Sequence, residues 1–331
     1  MFMPFRNVVG QGRVVSYLEK TLIQSKTTHA YMIEGVKGLG KKNLAYQLAK
    51  GLCCESKEDK PCGECKSCVK AERGTNTNII YLQEEKVIKI ESIRNIQEEI
   101  KIKTFDGSIR VYIICDSDKM TVQAQNALLK TLEEPPAKVV IILTSINANR
   151  LLPTIVSRCQ LIKLKPIKEE EMRKYLNEKK NVSWNQSKIV ASLSDGVIGK
   201  ALKTLEDETY VKRRGLVLDI IDRISTASVF DVLKSAEFFN EEKENISEIL
   251  DILVTWYRDL IIYKETEQLD YVINCDKIEE IILQSKKNEF SKIRDVILMI
   301  EETRANINSN ANYQLSLEVM LLNIQEDLKL W

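Results

Sequence analysis

Gly35-Val36-Lys37-Gly38-Leu39-Gly40-Lys41-Lys42 has the residue types and spacing of a phosphate-binding loop. Glycines at 35, 38 and 40 let backbone N–H groups crowd around a phosphate. A helix starting at the loop's end would add partial positive charge. Lys41 stands where a lysine reaches the β- and γ-phosphates, and the next position normally offers a Ser or Thr hydroxyl to Mg²⁺. That next residue is Lys42, which cannot ligate a metal while charged. The second acid-bearing site is Asp116, at the end of the apolar run Arg110-Val-Tyr-Ile-Ile-Cys115. In a motor ATPase such an acid helps hold hydrated Mg²⁺, and the following Glu polarises the attacking water. Here Ser117 follows, and Asp118 lies on the other side of an extended backbone.

A second constellation is made of thiols. Cys62-Gly-Glu-Cys65-Lys-Ser-Cys68 holds two Cys-x-x-Cys pairs that share Cys65, with Cys53-Cys54 upstream. Four soft ligands at this spacing suit a closed, tetrahedral structural Zn²⁺. The insert Glu-Ser-Lys-Glu-Asp-Lys-Pro is too polar to build its own core, so a metal would supply folding energy on the order of 10 kcal/mol. A redox Cys-x-x-Cys is the competing reading. Either Cys53 or Cys54 can complete the set, but not both. His29 is the single histidine, so no histidine metal site or triad forms, and it reads as a polar residue at a strand entrance.

Strands and helices must position these groups. Ala30–Ile33 is a short apolar strand before the glycine loop, and residues 43–49 after it read as a helix. A first helix is expected over 11–25, with Val14, Val15, Leu18, Leu22 and Ile23 on one face. Further strands are expected at 79–82, 110–114, 139–144 and 161–164. Helices are expected at 91–103 and 121–133, the latter capped by Thr121 and stopped by Glu134-Pro135-Pro136. This alternation predicts a parallel, three-layer α/β sheet over residues 30–165. From residue 168 the pattern is wholly helical: 168–178, 185–195, 199–206, and then stripes such as Leu216, Ile220, Ile224; Ile249, Leu253, Trp256, Leu260; Ile293, Val296, Ile300; and Leu315, Val319, Leu322. These stripes read as the core of a separate helical domain.

Composition narrows the classes. With 331 residues the chain has room for two or three domains, and 12 Gly and 6 Pro leave little coil. A net charge of +1 argues against gripping nucleic acid through bulk charge. No run of 18 apolar residues is present, so no membrane partner is expected. The first residues lack the apolar core of a secretory signal, so a cytoplasmic protein is expected and its eight Cys are not disulfides by default.

Taken together, these residues resemble the clamp-loader branch of the AAA+ ATPases. The motifs are Phe5 to Gln11, His29-Ala30-Tyr31, the glycine loop, the four-Cys module, the Asn126-Ala-Leu-Leu-Lys-Thr-Leu-Glu133-Glu134-Pro-Pro run and Ser157-Arg158-Cys159. Gly199-Lys200-Ala201-Leu202 and Trp256 to Leu260 also fit, and the likeness is dense over 1–205 and loose beyond. The resemblance implies an AAA+ domain over 1–166 with a zinc module at about 53–70, an all-α lid over 167–208 and an all-α collar over 209–331. In that family the module begins Lys-Gly-Leu-x-Cys, which selects Cys54 with Cys62, Cys65 and Cys68 as Zn²⁺ ligands. The implied partners are gamma/tau and delta clamp-loader subunits, the sliding clamp and primed DNA. Arg158 is implied as an arginine finger acting in trans on a neighbouring subunit's ATP.

The family's motor subunits, gamma and tau, keep Lys-Ser/Thr in the loop and Asp-Glu after the strand. Lys41-Lys42 and Asp116-Ser117 depart at both places, which removes separate parts of one step. The expected role is therefore a non-hydrolysing stator subunit, not an enzyme by itself; the alternative is an active gamma/tau-type ATPase. Gly35, Gly38, Gly40, Lys41, Lys42, Asp116 and Lys200 then make a degenerate nucleotide site. Lys42 could pair with phosphate oxygens there or fill the site in their absence, which leaves ATP binding open. A third reading, a zinc-ribbon nucleic-acid binder, is disfavoured because Glu55, Glu58, Asp59 and Glu64 offset Lys57, Lys60 and Lys66.

Overall fold

Apolar runs of four to seven residues, separated by amphipathic helices, dictate the first half of the chain. The computed structural model describes residues 5, 8–101, 108–309 and 311–328. Arg6 and Asn7 of the Phe5-to-Gln11 motif, and residues 102–103 of the expected 91–103 helix, lie outside the described residues. Two compact units are present, one of residues 1–175 with 194–200, the other of residues 176–193 with 201–331.

The first unit is built on β1 (Ala30–Glu34), β2 (Ile79–Leu82), β3 (Arg110–Ile114), β4 (Val139–Ser145) and β5 (Gln160–Lys163). All pairings are parallel, in the order β2-β3-β4-β1-β5. Period-two alternation splits the side chains between two faces. Tyr31, Ile33, Val111, Ile113 and Ile142 pack with α1 (Gly12–Ile23) and α2 (Lys41–Leu52) through Leu18, Leu22, Leu44 and Leu48. Ala30, Met32, Tyr112, Ile114 and Leu143 pack on the opposite face with α4 (Ile90–Lys101), α5 (Val122–Glu133) and α6 (Pro153–Val156). The expected three-layer α/β sheet is present. Between α2 and β2 lies a helix the sequence reading left out, α3 (Lys66–Glu72), whose first turn carries Cys68.

The second unit is helical: α8 (Trp184–Leu193), α9 (Ile198–Glu206) from Ala201 onward, α10 (Glu208–Ile224), α11 (Val229–Glu241), α12 (Ile246–Thr266), α13 (Ile278–Lys287), α14 (Phe290–Asn308) and α15 (Tyr313–Leu328). The remaining helix, α7 (Glu169–Lys180), begins in the first unit and ends in the second. Ile249, Leu253, Trp256, Leu260, Ile293, Val296 and Ile300 form the core, as expected. Two stripes are corrected. Leu216 is exposed while Val217, Leu218 and Ile221 are buried, and Leu315 and Val319 are exposed while Leu317, Met320, Leu321 and Ile324 are buried. Both helices carry apolar residues on more than one face, so spacing alone adds exposed residues to each stripe, while Ile224 is in the core as expected and Ile220 and Leu322 pack against it. Ile23 on α1 is likewise exposed, since it closes the helix at the surface.

Candidate functional site

In a parallel sheet the carboxyl ends of the strands face one edge, and ligands gather there. The glycine loop leaves β1 at that edge, Asp116 leaves β3, and Thr144 and Ser145 end β4. Because β4 lies between β3 and β1, Asp116 and the loop converge over its end. The Asp116 backbone N–H donates to Thr144 Oγ1 at 3.0 Å.

The loop has the backbone shape that a phosphate cradle needs. Gly38 and Gly40 sit at φ +90° and +87°, where a side chain would be strained. Gly40 is the N-cap of α2, and among the described residues no side chain caps that helix. Gly199 N–H donates to Gly38 O at 2.9 Å, so the 194–200 segment lies directly on the loop. A Cβ at Gly199 would meet Gly38 Cα and O at 3.0 Å, which explains glycine there.

The charged groups are arranged differently from a metal-dependent site. Lys41 is buried, and its ammonium donates to Gly35 O at 2.6 Å and Val36 O at 3.0 Å. Burial lowers its pKa, opposed by the carboxylates of Asp116 and Asp118. Lys42 Nζ lies 3.5 Å from Asp116 Oδ2, and Lys119 Nζ lies 3.7 Å from the same oxygen. Ser117 is fully buried and its hydroxyl donates to Thr144 O at 3.0 Å. Asp118 is engaged elsewhere: its carboxylate accepts the Ile146 N–H at 3.0 Å and faces Arg150 at 3.7 Å. Lys200 pairs with Asp195 at 3.0 Å.

Arg158 belongs to the other edge of the sheet. Gln160 is in register with Tyr31 on β1, so Arg158, just before β5, lies at the edge opposite the one where the glycine loop leaves β1. Its guanidinium is held on the surface by Glu133 Oε1 at 2.8 Å and Thr154 O at 3.0 Å. It is therefore out of reach of this chain's own glycine loop.

The thiols meet as a compact group. Sγ atoms of Cys54, Cys62, Cys65 and Cys68 all lie within 4.8 Å of one another. Cys54 faces Cys65 at 4.0 Å and Cys62 faces Cys68 at 4.0 Å. A tetrahedron with 2.3 Å metal–sulfur bonds requires about 3.8 Å between sulfurs, so the group fits Zn²⁺ closely. Backbone N–H groups of Cys62, Cys65 and Cys68 donate to the sulfurs of Cys54, Cys62 and Cys65, the pattern that supports thiolates. Burial pushes the Cys62 thiol up, but the Cys65 and Glu64 N–H groups and neighbouring thiols bring it down to about 7. Cys53 points away, toward Ile109 O at 3.5 Å, and burial raises its pKa to about 12. The Tyr46 hydroxyl of α2 donates to Ala71 O of α3, tying the module to the loop's helix.

Comparison with known proteins places this architecture. The family model "DNA polymerase III, delta subunit" matches residues 10–168, and "DNA polymerase III, delta subunit, C terminal" matches residues 210–326. The chain belongs to the DNA polymerase III clamp-loader family. It is 28% identical over 320 residues to DNA polymerase III subunit delta' of Bacillus subtilis, covering 96% of each chain. It is 28% identical over 298 residues to subunit tau of the same organism, covering 83% of this chain and 53% of that protein. Subunit gamma of Buchnera aphidicola is 29% identical over 343 residues, covering 98% of this chain and 91% of that one. Among solved structures, a DNA polymerase III gamma subunit-related protein of Thermotoga maritima is similar at 18% identity over 94% of this chain and 99% of that chain, TM-score 0.46.

Within the family's fold, Gly35, Gly38, Gly40, Lys41, Lys42 and Asp116 come together at one sheet edge, and Lys200 follows the residue that touches the loop. Arg158 stands apart from them. Four groups were missed from sequence: Lys119 on Asp116, Thr144 under it, Arg150 on Asp118, and Glu133 on Arg158. Only Lys119 carried a local signal, three residues after the acid it pairs with.

Proposed function

We propose that this chain is the non-hydrolysing, delta'-type stator of a bacterial DNA polymerase III clamp loader. It would act with gamma/tau and delta subunits to place the sliding clamp on primed DNA during replication. Its own nucleotide site would not turn over ATP. Its Arg158 would complete a neighbour's ATP site as an arginine finger. The observation that carries this reading is the ion pair between Lys42 and Asp116, which joins the two positions that would otherwise hold Mg²⁺. Without a metal site, and with Ser117 buried where a catalytic Glu belongs, the transition-state charge of phosphoryl transfer lacks its stabilisers. The place of Arg158, at the far edge of the sheet, supports action in trans. A planar, permanently charged guanidinium suits that task.

On this reading residues 1–166 form the AAA+ domain, 167–208 the lid and 209–331 the collar that joins the subunits. The four thiols hold one structural Zn²⁺, with no open coordination position.

The tau- and gamma-type relatives favour a second reading, an active ATPase. Phosphate release by the purified full chain, with Mg²⁺ and primed DNA, separates the two. The stator reading expects no turnover above background. Turnover abolished by Lys41→Ala would establish the ATPase.

A further inference from the structure

Lysines crowd the carboxylate at which a metal would sit. A divalent ion beside Asp116 would need a vacant carboxylate and a hydroxyl on the loop. Asp116 instead has two ammonium groups within 4.0 Å of one oxygen, from Lys42 at 3.5 Å and Lys119 at 3.7 Å. Ser117 is fully buried with its hydroxyl donated to Thr144 O, and Asp118 is bound by the Ile146 N–H and faces Arg150. The residues present do not fit Mg²⁺.

They do fit a polyphosphate. The loop keeps Gly38 and Gly40 in the left-handed region, and α2 starts on it with no side-chain cap among the described residues. Lys41 and Lys42 are consecutive in the first turn of that helix, and Lys119, whose ammonium donates to Glu85 O at 2.9 Å and Glu84 O at 3.4 Å, stands 3.7 Å from Asp116 at the rim. Lys41, Lys42, Lys119 and Arg150 outnumber the two carboxylates of Asp116 and Asp118, which leaves the cradle with excess positive charge before any metal arrives. Lys42 is 44% exposed and so is free to turn toward an incoming phosphate while staying near Asp116. Lys41 already bonds the loop carbonyls of Gly35 and Val36, which it can exchange for phosphate oxygens.

We infer that this loop binds the metal-free di- or triphosphate of a nucleotide, with the Lys42 ammonium standing in for Mg²⁺, and that Mg²⁺ opposes binding. Mg²⁺ already chelated to a nucleotide neutralises the oxygens that Lys42 would take, and brings a second cation against Lys42 and Lys119. The inference rests on the non-hydrolysing reading of the site and adds its ligand and metal requirement.

The test is calorimetric titration of the full chain with ATP, in EDTA and again in excess Mg²⁺, with phosphate release followed alongside. Binding is expected in EDTA and is about tenfold or more weaker with Mg²⁺. Lys42→Met, at an exposed position that leaves the fold intact, is expected to lose about tenfold or more in EDTA, as for one charge-assisted hydrogen bond. Lys42→Thr is expected to invert the pattern, so that Mg²⁺ strengthens binding. Inorganic tripolyphosphate in EDTA is expected to compete with ATP, because the cradle recognises phosphates. Binding that requires Mg²⁺, no binding in EDTA, or ATP that tripolyphosphate cannot displace would each overturn the inference. Phosphate release by the unaltered chain would instead overturn the stator reading, and the two failures are told apart by which signal appears.

Discussion

Lys42 Nζ lies 3.5 Å from Asp116 Oδ2, which joins the first turn of α2 to the end of β3 across the tip of β4. The pair occupies the crossing point of the two motifs that normally share one metal ion. Its effect is on chemistry rather than on stability. The two side chains are 44% and 24% exposed, and an exposed pair contributes about 0–1 kcal/mol. Lys42→Ala is therefore expected to shift the unfolding free energy by less than about 1 kcal/mol in a denaturant titration. A loss several times larger would mean that the pair holds the fold together, and its functional assignment would have to be withdrawn.

Arg158 gives a prediction that involves a second protein. In the isolated chain its guanidinium rests on Glu133 and the Thr154 carbonyl, both at the surface. Arg158→Ala should leave the melting temperature almost unchanged, because the lost contacts are solvent-exposed. In a reconstituted loader the same change should lower turnover at the one ATP site it serves by about 10³-fold or more. Arg158→Lys should rescue little, since an ammonium lacks the planar fork. Full loader ATPase from Arg158→Ala would remove the finger role.

How much of this was legible in the chain follows from which interactions are local. Val111 to Cys115 is apolar without alternation, which only a strand covered on both faces tolerates, so β3 and its terminal acid could be read directly. The glycine loop and the Cys-x-x-Cys pairs are local in the same sense. The Lys42–Asp116 pair is not, because it depends on β4 inserting between β1 and β3, and strand order is not written in any one segment. Glu133 meets Arg158 for a similar reason, across the α5–α6 packing. On α15, Leu315 and Val319 have the helical spacing of a core stripe, but Leu317 and Leu321 have it too, and only tertiary packing chooses between them. The helix α3 escaped notice because seven residues with two lysines and a cysteine show no apolar period of their own.

The thiol group predicts a selective dependence on metal. Elemental analysis of the full chain should find about one Zn²⁺ per chain. Cys54→Ser should lose it, since Cys54 lies in the cluster, whereas Cys53→Ser should retain it, since that sulfur faces Ile109 O. Strong chelation should unfold the segment around α3, because structural zinc contributes about 10–16 kcal/mol to small metal-dependent units. A metal-free chain whose segment between α2 and β2 resists proteolysis as well as the loaded one would count against the site.

The last prediction concerns the helical unit and pH. Arg213 is 5% exposed, and its guanidinium is shared by Glu242 at 2.7 Å, Asp207 at 3.5 Å and Glu248. The Arg213 hydrogen bond is the main cause that holds Glu242 below its ordinary value of 4.5. Asp207 is held below 3.8, first by the Thr209 hydroxyl and with help from Arg213. Both folded-state values lie below the unfolded ones, so the charged carboxylates stabilise the fold at pH above the ordinary carboxylate range. That contribution is lost as pH falls through the depressed folded values. Acid titration followed by circular dichroism should therefore show the helical unit weakening below about pH 4. Arg213→Met leaves three clustered carboxylates without their cation, and should cost about 2–4 kcal/mol at neutral pH. It should also weaken the acid dependence, because Glu242 loses the main cause of its depression while Asn245 and Thr209 still hold Glu242 and Asp207 down. A variant whose acid profile parallels the natural one would show that Arg213 does not govern these carboxylates.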